Sequence, residues 1–103
     1  MRESKFQSSL IQEIKEMFPG CKVLKNDAGY LQGIPDLLIL HKNTWAALEV
    51  KRSLNAPHRP NQDYYVEEFD DMSFASFICP ENKREVLDEL QYAFSTSGMS
   101  RVS

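Results

Sequence analysis

The chain has 103 residues, of which 42% are hydrophobic and 26% are charged. This length predicts one domain with a single core, and the composition excludes a fibrous repeat or an intrinsically disordered chain. No apolar run approaches the roughly 20 residues that a membrane span needs, and the polar N-terminus lacks a signal-peptide core. We therefore expect a cytoplasmic protein with no membrane partner.

The formal net charge of −3 is unevenly distributed along the sequence. Residues 1–51 carry seven Lys/Arg against six Asp/Glu, or +1, whereas residues 52–103 carry five against nine, or −4. The acidic total argues against a nucleic-acid partner. If bound cations neutralised Glu3, Asp36 and Glu49, however, the first half would become effectively +4 and would suit a polyanion.

The N-terminal residues predict a helix followed by a short strand. Apolar residues recur at helical spacing from Glu3 to Phe18, where Pro19-Gly20 ends the pattern. The apolar stripe centres near the direction of Glu3, so we expect Glu3 to face the core side. The segment CKVLKN then predicts a strand, and DAGYLQG predicts a loop.

The middle of the chain predicts a β-hairpin. The segments 35–41 and 44–51 are rich in Leu, Ile, Val and Trp, and the polar pair Lys42-Asn43 between them is typical of a two-residue turn. In that register the residue numbers of any two opposed positions add up to 85, as they do for His41 and Thr44. Asp36 and Glu49 are then predicted to stand opposite each other on one face, with Cβ atoms roughly 5 Å apart.

The C-terminal half predicts a helix, a strand and a last helix. The first of these helices runs from Pro60 to about Asp71, with Gln62, Tyr65, Phe69 and Met72 on one face, and SFASFI forms the strand. The last helix runs from Pro80 to about Phe94. The predicted fold is α/β in the order α-β-β-β-α-β-α, with a mixed sheet of about four strands, a single domain over 1–94 and a flexible tail over 95–103.

The predicted Asp36 and Glu49 pair indicates a cation site. Two like charges at that distance raise each other's pKa unless a positive charge lies between them. Lys51 follows Glu49 by two positions and therefore projects from the same face. Two oxygen ligands beside an ammonium group suit Mg²⁺, which would activate a water while Lys51 orients that water or stabilises developing charge. Taken singly, each acid is better explained as an ordinary surface residue, and it is the three residues together on one face that favour a site.

The remaining candidates have ordinary alternatives. Glu3 is either a first-turn carboxylate that complements the helix dipole or part of the site, and Gln62 is either a solvent-edge residue or one that positions water. The glycines at 29 and 33 are most simply turn residues, and the two cysteines and two histidines have no ligand-like spacing. Residues that would contact a phosphate backbone, each of which alone is explained as solvated surface, are Lys5, Lys25, Asn26, Tyr30, Arg52 and Arg59.

These motifs resemble the signature of the PD-(D/E)XK nuclease superfamily. The segment Gly33-Ile34-Pro35-Asp36 is followed after a gap by Glu49-Val50-Lys51, with a helical glutamate before them and Gln62 at the start of the next helix. The pattern spans residues 3 to about 70 and is most similar to the VRR-NUC branch, including small stand-alone members encoded by phages. The resemblance implies a restriction-endonuclease-like core.

The resemblance also implies roles for individual residues. It implies that Mg²⁺ or Mn²⁺ is bound by Glu3, Asp36, Glu49 and the backbone carbonyl of Val50. Lys51 takes a catalytic role together with the two acids, and Gln62 an accessory one. It further implies a homodimer that cleaves DNA, with branched structures such as Holliday junctions as one substrate class, in the cytoplasm of a host cell if the chain is phage-encoded.

Two other functions stay open at this point. A nuclease-fold module could bind nucleic acid or a partner protein without cutting, which would suit the acidic net charge. A plain α/β interaction protein would carry these acids by accident. Turnover of DNA separates the first alternative from an endonuclease, and a metal site that depends on Asp36 and Glu49 excludes the second.

Overall fold

The computed structural model describes residues 2–27 and 29–100, with side chains as far as residue 96. Its mixed α/β order confirms the predicted sequence of elements. No helix within the described ranges is both long and apolar enough to cross a membrane. The elements are α1 (Glu3–Met17), β1 (Lys22–Lys25), β2 (Leu37–His41), β3 (Thr44–Val50), α2 (Gln62–Met72), β4 (Phe74–Ile78) and α3 (Lys83–Ser100).

The four strands form one mixed sheet in the order β1-β2-β3-β4. The pairs β1-β2 and β2-β3 are antiparallel, whereas β3 and β4 are parallel. A parallel pair cannot be joined by a tight turn, and α2 provides the crossover between β3 and β4. The end of β3 and the start of α2 are therefore linked by residues 51–61, a loop that runs past the end of the sheet.

The sheet separates two layers of helices. Alternate residues of β3, including Leu48 and Val50, join the main core cluster with α1 and α3. Ala47 joins a smaller cluster on the opposite face, which includes Val66 of α2. Because successive side chains point to opposite faces, Glu49 lies on the α2 face of the sheet.

The hairpin has the predicted register. The pairs run from His41 opposite Thr44 to Leu37 opposite Leu48, and every pair sums to 85. Lys42 has a φ of 57° in the turn, and the Thr44 hydroxyl donates to the His41 carbonyl at 2.6 Å. A two-residue loop with a left-handed first residue matches the twist of the flanking strands, which explains why the register is fixed here.

Two helices differ from the sequence-based prediction. On α2, Val66 is buried while Met72 is 61% exposed, because Met72 lies about 80° around the helix from Gln62 and at the helix end. Helix α3 runs to Ser100, six residues beyond the predicted end at Phe94. The hydroxyls of Ser95 and Thr96 donate to carbonyls one turn earlier, so polar residues continue the helix. Residues 101–103 of the predicted tail lie outside the described residues.

Gly33 joins two loops rather than simply turning the chain. It has a φ of +91°, and a Cβ added to it would lie 2.6 Å from the Cβ of Asn61 and 2.9 Å from the Pro60 carbonyl oxygen. Asn61 immediately precedes α2. The absence of a side chain at Gly33 therefore lets the loop before β2 pack directly against the start of α2.

The Gly33→Ala variant should be much less stable than the wild type because it adds a clash to an unfavourable φ. We expect a loss of roughly 3 kcal/mol or more in the free energy of unfolding, measured by urea denaturation. Gly20→Ala is the matched control, since Gly20 has a φ of +89° with nothing within 4 Å of the added Cβ. Equal losses in the two variants would show that the contact with Asn61 contributes nothing.

Candidate functional site

Asp36 and Glu49 meet at the end of the hairpin and bond crosswise. The backbone N–H of Asp36 donates to Glu49 Oε1 at 3.1 Å, and the backbone N–H of Val50 donates to Asp36 Oδ2 at 2.9 Å. Each carboxylate thus takes the place that a backbone carbonyl would have in a continuing ladder. The two acidic groups are consequently held together by the same strands that carry them.

Asn26 positions Asp36 from the neighbouring strand end. Its backbone N–H donates to the Asp36 carbonyl at 2.8 Å, and its side-chain Nδ2 donates to the Pro35 carbonyl at 2.7 Å. Sequence reasoning assigned Asn26 to DNA binding, and no sequence signal indicated this contact. The structure places the side chain against the backbone that precedes Asp36.

Lys51 reaches the acidic pair through Gln62 and not directly. Lys51 is 7% exposed, and its Nζ donates to the Pro57 carbonyl at 3.0 Å and to Gln62 Oε1 at 2.6 Å. The other side of the amide, Gln62 Nε2, donates to Glu49 Oε2 at 2.5 Å. Within the described residues Lys51 forms no ion pair with a carboxylate. The amide of Gln62 therefore lies between the ammonium group and the acid.

The amide orientation of Gln62 follows from its partners. Its oxygen accepts from Lys51 Nζ and also from the backbone N–H of Arg59 at 2.8 Å. A charged lysine and a backbone N–H can only donate, so the amide oxygen must face Lys51 and Arg59, and the amide nitrogen is left facing Glu49. Gln62 is 8% exposed, and a buried amide with these partners is strongly fixed.

Burial makes the acidic pair electrostatically unfavourable. Glu49 is 3% exposed, and desolvation, followed by the charge of Asp36, raises its pKa to about 8 despite the opposing effect of Lys51. Desolvation also raises the pKa of Asp36, although a hydrogen bond from the Val50 backbone opposes the shift. Near neutral pH the pair is therefore unfavourable as two bare charges, and a proton or a cation would stabilise it.

The residues present suit a hard divalent cation. The donors are carboxylate oxygens, which Mg²⁺ and Mn²⁺ prefer. The Val50 N–H faces Asp36, and in a strand the N–H and C=O of one residue point to the same side, so the Val50 carbonyl is directed to that side as well. Within the described part of the chain no group of three His, Cys, Asp or Glu side chains is gathered closely enough to hold a metal.

Glu3 lies apart from this pair. It begins α1, which packs through Phe6, Leu10 and Ile14 on the sheet face opposite Glu49. The expectation that Glu3 faces the core is wrong, because its side chain is exposed one turn before the first buried residue. Glu3 nevertheless lines the same cleft, and its charge adds to the raised pKa of Glu49 after burial, the principal cause.

The pair lies in a cleft of about 1270 Å³. The balance of acidic and basic residues in this cleft differs from that of the whole chain. Its lining includes Gly29, Gln32 and Gly33 from one loop and Ala56 and Pro57 from another. The cleft is not acidic, even though the protein carries a net charge of −3. Three carboxylates are balanced by four basic residues, and the charged lining comprises Glu3, Asp36, Glu49, Arg2, Lys51, Arg52 and Arg59.

The predicted DNA-contacting residues divide into two groups. Arg52 and Arg59 line the cleft, whereas Lys5 and Lys25 are exposed elsewhere on the surface. Tyr30 is 89% exposed on the loop that also carries the lining residues Gly29 and Gln32. Sequence reasoning missed Arg2, whose only signal was its place beside Glu3, and the Pro57 carbonyl, which no side-chain pattern could reveal.

Comparison with protein-family models, with curated proteins and with solved structures gave no match to this chain. The geometry of the cleft and the resemblance of its sequence motifs are therefore the basis for assigning a function.

The raised pKa of Glu49 predicts a pH-dependent stability in the presence of EDTA. Between its ordinary pKa of 4.5 and about 8, folded Glu49 keeps a proton that the unfolded chain releases. The free energy of unfolding should therefore fall as the pH rises through this range, by up to about 1.4 kcal/mol per pH unit. Urea denaturation at half-unit steps measures this slope.

The Glu49→Gln variant should lose most of that slope, because its amide does not titrate. Glu13→Gln is the control, since Glu13 pairs with Lys83 and Arg84 and its pKa is lowered, chiefly by the Lys83 hydrogen bond. The control should keep the wild-type slope between pH 5 and 8. An unchanged slope in Glu49→Gln would contradict the assigned electrostatics.

Proposed function

We propose that this protein is a Mg²⁺- or Mn²⁺-dependent endonuclease that hydrolyses phosphodiester bonds in DNA. The observation that carries the proposal is the crosswise bonding of Asp36 and Glu49 in an open cleft, with burial raising the pKa of both acids. Such a pair costs free energy in the folded protein unless a cation binds. Its position in a cleft lined with arginines favours a site for a cation and a phosphate.

The residues that would hold the cation are Asp36, Glu49 and the carbonyl of Val50, with Glu3 as the remaining carboxylate on the cleft lining. When bound, such an ion lowers the pKa of a water and stabilises negative charge on a phosphate oxygen. The protein would set the ion's position, because each acid accepts a hydrogen bond from a backbone N–H beside the other acid.

Lys51 would act on the attacking water or on the phosphate. An ammonium group has three N–H donors, and the structure uses two of them, toward the Pro57 carbonyl and Gln62. The third donor remains for a water or a phosphate oxygen in the cleft. Gln62 holds Lys51 at a fixed position relative to Glu49, so the ammonium group and the acidic pair are positioned as one unit.

The arginines of the cleft would bind the DNA backbone. Arg2, Arg52 and Arg59 line it, and guanidinium groups bind phosphate with two parallel hydrogen bonds. This local positive charge explains how an acidic protein could take a polyanion as its substrate. The resemblance to small phage-type nucleases supports branched DNA as the preferred substrate and a homodimer as the assembly.

A second candidate is a nuclease-fold module that binds nucleic acid or a partner protein without cutting. The observation in its favour is that Glu3 stands apart, so the described residues gather two carboxylates and not three. This module would bind DNA in the cleft with no turnover under any metal. The cleavage experiment below separates it from the endonuclease.

Substitution of the acids or of Lys51 should strongly reduce cleavage. We expect Asp36→Asn, Glu49→Gln and Lys51→Ala each to reduce kcat by at least about 10²-fold, since the first two remove a ligand of the proposed cation and the third removes the ammonium group that would act on the water or the phosphate. Cleavage is measured on labelled duplex and four-way-junction DNA in Mg²⁺, in Mn²⁺ and in EDTA. Wild-type cleavage should stop in EDTA and return when Mg²⁺ is restored.

Two controls accompany this experiment. Glu13→Gln removes a carboxylate outside the cleft and should keep wild-type kcat, and DNA binding by Asp36→Asn shows that the cleft is still formed. Full cleavage by Asp36→Asn or by Lys51→Ala would reject the proposed mechanism. Wild-type DNA binding with no cleavage in either metal would favour the non-cutting module.

A further inference from the structure

The loop between β3 and α2 supplies two backbone groups to the candidate site. The Pro57 carbonyl accepts from Lys51 Nζ at 3.0 Å, and the backbone N–H of Arg59 donates to Gln62 Oε1 at 2.8 Å. Pro57, His58 and Arg59 are all exposed residues. An exposed loop segment is ordinarily mobile, so a contact that fixes the residue between these two groups would help to hold both of them in place.

His58 is that residue, and it is held from two sides. Its ring stacks on the ring of Phe77, with centroids 4.1 Å apart and an interplanar angle of 18°. Its Nδ1 lies 2.7 Å from Asp63 Oδ1, and because an ionised carboxylate only accepts, Nδ1 carries the proton and donates. Phe77 lies on β4 and Asp63 on the first turn of α2, so the ring connects the loop to both elements.

The two anchors of His58 also belong to the elements that carry the site. Phe77 is the ladder partner of Glu49 across β3 and β4. Asp63 directly follows Gln62. His58 therefore fixes the position of the loop relative to the part of β3 that carries Glu49 and to the turn of α2 that carries Gln62.

We infer that His58 is a positioning residue that fixes the Pro57 carbonyl and the Arg59 N–H, and through them Lys51 and Gln62. The inference builds on the proposed endonuclease function, although the positioning itself can be measured without cleavage. None of the hydrogen bonds described for the site joins His58 to Asp36, Glu49 or Lys51. Its role is to hold the loop so that the ammonium group and the amide keep one geometry.

The first test measures how firmly the Gln62 side chain is held in the absence of DNA. The side-chain amide protons of Gln62 are observed by ¹H–¹⁵N NMR in the full chain and assigned by their loss in Gln62→Glu. In the wild type they should exchange slowly with solvent, because the amide is buried and bonded on both sides. His58→Ala should speed their exchange by about tenfold or more, while backbone amides of α1 keep their wild-type protection.

The second test reads catalysis. His58→Ala should lower kcat by about 10- to 100-fold with KM changed less than about twofold, since the loss is in positioning and not in DNA affinity. His58→Phe keeps the stacking on Phe77 but loses the bond to Asp63, and Asp63→Ala loses the same bond. His58→Phe and Asp63→Ala should lower kcat by similar factors. The variant that combines both substitutions should lower kcat no more than either one alone, because both remove the same bond.

His41→Ala is the matched control for a general loss of stability. His41 also stacks on an aromatic ring, that of Phe94 at 5.5 Å, but it lies at the hairpin turn and does not line the cleft. Its loss should lower the unfolding midpoint without changing kcat or Gln62 exchange. The positioning role is overturned if His58→Ala leaves Gln62 exchange at the wild-type rate, or if His41→Ala speeds it equally.

The two proposals fail separately. A wild type that cleaves no DNA while Gln62 exchange still depends on His58 would reject the endonuclease and retain the positioning. Wild-type cleavage together with wild-type Gln62 exchange in His58→Ala would reject the positioning and retain the endonuclease.

Discussion

The contacts around the cleft are organised by two carboxylates that lie together at the end of one hairpin. Placing the half-buried Asp36 beside the buried Glu49 is unfavourable, because desolvation disfavours the charged form of both acids and the charge of Asp36 further disfavours that of Glu49. The fold offsets part of this cost with backbone donors from the opposite strand. It places Lys51 on the same face, yet keeps its ammonium group one amide away from the acids. The remaining negative charge is what a divalent cation would balance.

The surrounding elements act mainly by holding this pair in place. Asn26 fixes the backbone before Asp36, and the bare backbone of Gly33 allows that loop to pack against the start of α2. The same helix start carries Gln62, whose amide bridges Glu49 and Lys51. The loop before β2 and the start of α2 are therefore connected to the acids by specific contacts. A substitution at Gly33 should consequently disturb the site as well as the fold.

The sequence predicted the hairpin and its acidic pair because both depend on local rules. The two-residue turn at Lys42-Asn43 and the alternation of strand side chains determine which residues oppose each other. Contacts that depend on loop conformation were not predictable, and the capture of Lys51 by the Pro57 carbonyl is the clearest case. The exposure of Glu3 was also missed, since periodicity gives the direction of a residue around a helix but not where the core ends along it.

Anomalous diffraction from a crystal soaked in Mn²⁺ tests the central claim most directly. The account predicts a manganese peak with carboxylate oxygens of both Asp36 and Glu49 within about 2.0–2.4 Å, and no such peak in Asp36→Asn. It also predicts that Lys51 stays on Gln62 and not on either acid. A manganese-soaked crystal with no peak between these two side chains, or with a peak that persists at full height in Asp36→Asn, would contradict it.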